Sequence, residues 1–232
     1  MGKRCSSADL KLLAMGTMAV DHVAHVLLRG SGYAASMPGE GMYIAMRLIG
    51  RMAFPLFAFL LVEGFFHTND WRRYAGRLLA AAAVSEIPYN LAVENSLFAP
   101  GNQNTLFLLL VGLLLLKGIS QGTRPLACLA AAAGFASAWL FRIDYGPVGL
   151  LLILAFYFFR QNPPMRTQAG LLTLFLLYGP DLMWPAACIA LFFINRYSGE
   201  HGRRMGRLPY VFYPLHLCVL YFTGGIVHGT YI

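Results

Sequence analysis

The chain has 232 residues, 58% hydrophobic and only 12% charged, with a net charge of +8 and a mean hydropathy of +0.58. Soluble domains carry about 25% charged residues, so this composition excludes an ordinary water-soluble globule and points to helices packed within a membrane. The positive balance does not indicate nucleic acid, because the basic residues sit in short gaps between apolar runs, where they set topology and meet lipid headgroups.

In chain order the apolar runs predict helices over residues 9–29, 43–66, 72–93, 104–119, 125–141, 146–159, 168–179, 181–195 and 207–228. The expected fold is therefore all-α: one polytopic membrane bundle of about nine transmembrane segments, with residues 1–232 as a single domain. Two of the short middle segments are also readable as re-entrant, and 168–179 with 181–195 as one helix kinked at Gly179-Pro180. The first run contains Asp21, His22 and His25 and no convincing cleavage site, so no cleavable signal peptide is expected. Cys5, Cys128, Cys188 and Cys218 lack metal or redox spacing, and structural disulfides are not expected.

Placing the N-terminus in the cytoplasm puts Lys3, Arg4, Arg72, Arg73, Lys117, Arg124, Arg160, Arg166, Arg196, Arg203, Arg204 and Arg207 on the inner side and only Arg29 and Arg142 outside. That asymmetry predicts an N-in, C-out, multi-pass protein bathed in lipid.

The stretch 47–68, RLIGRMAFPLFAFLLVEGFFHT, is long enough to span yet carries Arg47, Arg51, Glu63 and His67. Charges at membrane depth face a bundle interior or a wet cavity. Arg47 and Arg51, four apart, share a helix face, and Pro55 removes the amide that would bond the Arg51 carbonyl. At about 1.5 Å per residue, His22 falls roughly 10 Å below the outer end of its helix, Arg51 roughly 12 Å and Glu86 roughly 10 Å. Asp21 and His25 flank His22. Ser85, Tyr89 and Asn90 accompany Glu86, whose helix Pro88 loosens. Asn104 opens the fourth helix and Asp144 lies in the loop before the sixth. Polar groups from several segments thus share one outer stratum, while His216 lies nearer mid-membrane.

Asp21-His22 reads as a histidine general base or acyl acceptor tuned by a carboxylate, or as a polar knot between helices. His22 and His25 have the spacing of a bundle metal site. Without a third His or a Cys at ligand spacing, no metal is expected. Arg47 and Arg51 read as a donor fork for an anion or developing oxyanion, or as partners of Asp21 or Glu86. His216, after a proline, could ligate, shuttle protons or bond a carbonyl. Glu63 and His67 lie near Arg72 and Arg73 at the inner end, lining an entry route or capping a helix. Arg203, Arg204 and Arg207 read as topology and headgroup contacts, or as a phosphate site.

The 47–68 block, with KLLAMGTMAVDH at 11–22, RRYAGRLLAAAAVSEIPYNL at 72–91, Asn104-Thr105, DYGPVGLLL at 144–152 and YVFYPLHL at 210–217, resembles the TraX family of integral membrane proteins, whose namesake acetylates the N-terminus of F-pilin. That family resembles, more distantly, transmembrane acyltransferases of the acyltransferase-three and heparan glucosaminide acetyltransferase kind, and Phe54-Pro55 followed by Phe57, Phe59 and Gly64 looks like the proline-containing helix of the latter. The resemblance implies cytoplasmic acetyl-CoA as donor and an acceptor across the membrane, a peptide N-terminus, small molecule or glycan.

On that basis the expected enzyme is an acyl-CoA-dependent O- or N-acetyltransferase. His22 and Asp21 would be catalytic with Arg51 and Arg47. Glu86, Asn90, Asn104, Asp144, His216 and His25 would face the acceptor. Arg72, Arg73, His67, Glu63, Arg203 and Arg204 would meet the donor. A homo-oligomer is compatible with this reading. The rival expectation is a transporter or scaffold in which the same residues bind an anion without chemistry.

Overall fold

A computed structural model describes residues 4–29 and 37–228, so Lys3 lies outside the described residues. The fold is all-α: α1 (Ser7–Val23), α2 (Met37–Gly50), α3 (Ala53–His67), α4 (Trp71–Glu94), α5 (Thr105–Ser120), α6 (Arg124–Leu140), α7 (Gly146–Phe158), α8 (Pro163–Tyr178), α9 (Met183–Asn195) and α10 (Leu208–His228). A π turn over Ala24–Leu28 extends α1.

Helix α3 is the hub. It is apolar nearly all round, as a helix packed on every side must be. Phe54, Leu56, Phe59 and Leu61 are fully or almost fully buried, and α1, α5, α7 and α9 pack around it. Helix α10 pairs with α4, while α6 covers α5 and α7 from outside.

Boundaries follow local chemistry. Ser6 and Asp9 form a reciprocal capping box at the start of α1. Asp70, Asn104 and Asn162 cap α4, α5 and α8 through their side chains. The expected single helix over 43–66 starts earlier and is broken at Arg51–Met52. Pro55 cannot donate to the Arg51 carbonyl, and the Arg51 and Met52 amides reach back only three residues, to Leu48 and Ile49 at 3.2 and 3.3 Å.

The expected helix over 168–179 begins at Pro163 instead. Its polar first turns were not legible as helix because Arg166 is internal. That side chain donates to the Arg160 carbonyl at 3.1 Å and to Asn195 Oδ1 at 2.8 Å. Helices α8 and α9 are separate, reversed at Gly179 with φ +66°, so the single-kinked-helix alternative does not hold.

Ser7–Leu28, Gly39–His67 and Leu208–Val227 are long and apolar enough to cross a membrane, whereas Thr105–Ser120, Arg124–Leu140, Gly146–Phe158 and Met183–Asn195 are shorter apolar helices. The outer surface presents Leu79, Val84, Ile87, Leu129, Trp139, Leu172 and Ile226, each more than half exposed. An apolar exterior of this extent marks a surface that meets lipid or protein rather than water.

Candidate functional site

A cavity of about 590 Å³ follows α1 from Ser7 and Lys11 to His25 and Arg29, roughly 30 Å of helix. Lys11, Met18, His22, His25 and Arg29 recur at three-, four- and seven-residue steps, which keeps them on one face. The opposite walls are the Ala53–Phe57 and Leu60–Gly64 stretches of α3, Tyr74, Arg77 and Tyr89 of α4, and Tyr210 and Tyr213 of α10.

His22 projects from α1 into this cavity. Its Nδ1 lies 2.7 Å from His216 Nε2, and His216 Nδ1 lies 2.8 Å from the Phe212 carbonyl oxygen. A carbonyl can only accept, so His216 Nδ1 carries hydrogen and, in the neutral ring, Nε2 accepts. His22 must then donate through Nδ1, which leaves its Nε2 with a free lone pair. The two imidazoles are close to parallel at 5.0 Å, Phe212 stacks behind His216 at 4.7 Å, and Tyr213 meets both rings edge-on. This packing locks ring orientation as well as tautomer.

Asp21, expected to orient His22, does something else. Adjacent helical residues do not face each other, and Asp21 turns to α2. Its Oδ2 accepts from Arg47 Nη1 at 2.7 Å and its Oδ1 from Arg51 Nη2 at 2.6 Å. Arg51 Nε also donates to the Arg47 carbonyl at 3.2 Å, an acceptor freed by the broken helix at Arg51–Met52. Two guanidiniums on one carboxylate leave a net positive charge beside His22. Gly50 makes the approach possible, because any Cβ there would collide with the Asp21 side chain. Gly50 was missed in the sequence, where a glycine in an apolar run gives no sign of what packs on it.

Beyond His22 the cavity is bounded by His25, Arg29, Glu94, Asn102, Thr105, Asp144 and Tyr145. Asp144 accepts from the Thr105 hydroxyl at 2.6 Å and from the Tyr145 amide at 3.0 Å. Burial pushes its carboxyl above the ordinary value, against the pull of the Thr105 bond and the Arg51 charge. Tyr145 holds a left-handed φ of +64°, unusual for a bulky residue, and stacks on Phe54 at 3.9 Å. Asn102 donates to Glu94 at 2.7 Å, and His25 lies 3.4 Å from Arg29.

At the opposite end the buried Glu63 accepts from Arg160 Nε and Nη2 at 2.7 and 3.1 Å. His67 Nδ1 is 2.7 Å from the Glu63 carbonyl, and its ring meets His201 at 5.1 Å.

Of the residues singled out in the sequence, Asp21, His22, His25, Arg47, Arg51, Glu63, His67 and Asp144 line the cavity. His216 stands behind His22. Glu86 is not among the lining residues and pairs with neither arginine. It accepts from Asn104 Nδ2 at 2.6 Å, and Asn104 also caps α5 and donates to the Ala82 carbonyl. That trio clasps α4 to α5 rather than facing the cavity. Asn90 is buried outside the lining, its Oδ1 without a partner among the described residues.

Arg72, Arg73, Arg203 and Arg204 are exposed and outside the lining; Arg73 pairs with Asp70 at 2.9 Å. The cations that do reach that end are Lys11 and Arg77, which the sequence reading passed over. Lys11 could have been found, since it precedes His22 by three helical turns.

The chain is 31% identical to the probable fimbrial assembly protein FimC, serogroup H1, of Dichelobacter nodosus, over 93% of this chain and 94% of that protein. No solved structure matches it significantly. The family described as TraX protein matches residues 6–223, nearly the whole length that builds this cavity, and the chain belongs to that family.

Proposed function

We propose that the chain is a membrane-embedded acetyltransferase, multi-pass and N-in, moving an acetyl group from cytoplasmic acetyl-CoA to an amine or hydroxyl across the membrane, such as a peptide N-terminus. The observation that carries this reading is the Phe212–His216–His22 chain, which presents an unprotonated Nε2 inside a cavity reaching both ends of the bundle. An imidazole held in one tautomer by a second group is what a general base or acyl carrier requires.

In the proposed step the acceptor nitrogen or oxygen attacks the thioester carbonyl carbon while His22 Nε2 takes its proton. The oxygen that becomes negative is stabilised by the excess positive charge of Arg47 and Arg51. As the carbon–sulfur bond breaks, the imidazolium returns its proton to the departing thiolate and CoA leaves as the thiol. Asp21 holds the two arginines at fixed distance, and His216 holds His22. Asp144 and His25 face the acceptor side, while Glu86 and Asn104 keep α4 and α5 in register. The name of the fimbrial assembly relative agrees with a surface-protein acceptor.

A cavity reaching both ends is also what a transporter has. Purified protein in nanodiscs, given radiolabelled acetyl-CoA and a peptide with a free N-terminus, is expected to release CoA and label the peptide. Folded protein that releases no CoA, yet passes anions across liposomes, would establish the transporter instead.

A further inference from the structure

We propose that Lys11 and Arg77 form the clamp for the phosphate groups of coenzyme A, at the end of the cavity remote from His22. This rests on the acetyl-transfer reading and names the residues that give it a donor.

Both side chains line the cavity, and neither forms an ion pair among the described residues. Of the other cations toward that end, Arg160 pairs with Glu63, Arg73 with Asp70, and Arg166 donates to Asn195 and a carbonyl. Glu63, the carboxylate at that end of the lining, is already neutralised by Arg160. Among the described residues that line that end, no further carboxylate faces Lys11 and Arg77, so their charge is available to a ligand.

Arg77 lies between two rings, 6.0 Å from the Tyr74 centroid and 5.9 Å from that of Tyr210. Such contacts orient a guanidinium while leaving its N–H groups free for a phosphate. Backbone amides do not supply the site. At the start of α1 the Ser7 amide donates to the Glu200 carbonyl at 2.8 Å and the Ala8 amide to that of His201 at 3.2 Å. Recognition falls to side chains, which makes it accessible to substitution.

Spacing fixes the ligand. Lys11 and His22 lie on one face of α1, separated by about 16 Å along the axis. A small acyl phosphate anchored at Lys11 would leave its acyl group far from Nε2. An extended pantetheine arm is of the same order as this span, so phosphates held by Lys11 and Arg77 bring a thioester to His22. The path between them is walled by Phe57, Leu60, Leu61 and Tyr74, which suits a thin, mostly uncharged arm.

The test is equilibrium binding of CoA and of pantetheine, which lacks the phosphates, to nanodisc-embedded wild type, Lys11→Gln, Arg77→Gln and the control Arg72→Gln, which lies outside the cavity lining. Wild type and Arg72→Gln are expected to bind CoA more tightly than pantetheine. Each clamp variant should lose about tenfold or more in CoA affinity, as loss of a charge-assisted contact implies, with pantetheine affinity unchanged. CoA affinity equal to wild type in Lys11→Gln and Arg77→Gln, or no preference for CoA over pantetheine in wild type, overturns the clamp. Binding needs no chemistry, so the two readings separate. Selective CoA loss in the variants without any acetyl transfer keeps the clamp and removes the enzyme. Transfer with an unchanged KM for acetyl-CoA in the variants keeps the enzyme and removes the clamp.

Discussion

His22→Ala is expected to abolish measurable acetyl transfer while leaving the protein folded. A positioned general base contributes on the order of 10²–10⁴ in rate, and if Nε2 also carries the acyl group the loss is larger still. His22 is only partly buried, and its removal leaves His216 with its Phe212 bond intact, so the variant should elute and bind CoA as wild type does. His216→Ala is the companion: His22 keeps its lone pair but loses the group that fixes the tautomer, so kcat should fall with a changed pH profile and little change in KM. Stopped-assay turnover across pH distinguishes the two. A His216→Ala protein with the wild-type profile would remove the relay from the account, and a fully active His22→Ala protein would remove the base.

Asp21→Ala should be the most damaging change to stability, costing about 3–5 kcal/mol by leaving two largely buried guanidiniums uncompensated. Chemical denaturation in detergent reads this directly. The cause is separable from simple loss of packing: adding Arg47→Leu and Arg51→Leu to Asp21→Ala should restore much of the stability, because apolar replacement of a whole buried charge cluster is often neutral. It should not restore transfer. An Asp21→Ala protein as stable as wild type would mean that the arginines find other partners, and the positive charge beside His22 would not be fixed.

Much of this was legible in the sequence because buried charge is costly in an apolar bundle. Asp21, His22, Arg47 and Arg51 could not all face lipid, and at a common depth they had to find one another or a cavity. The helical segments were legible for the same reason, down to the weak point that Pro55 imposes on the second. What could not be read was which polar group pairs with which. Asp21 next to His22 in sequence suggested a dyad, yet the turn of the helix sends them to different partners, α2 for one and α10 for the other. His216 looked too deep by residue counting along its own helix, and only the packing of α10 beside α1 and α4 brings it to His22. Glu86 looked like a partner for arginine until Asn104 took it. Arg77 was not legible because nothing in the sequence tells a cation that lines a cavity from one that meets a headgroup, and Lys11 was legible only through its three-turn spacing from His22.

The most direct test of the central claim is transfer across a sealed membrane. Proteoliposomes with oriented protein would receive acetyl-CoA on the Lys11 side only and a peptide with a free N-terminus on the other side only. Acetylated peptide appearing in its compartment as CoA accumulates in the donor compartment, with neither in His22→Ala vesicles, is the predicted result. Acetyl-CoA left intact, or peptide labelled equally by the His22→Ala protein, would contradict it.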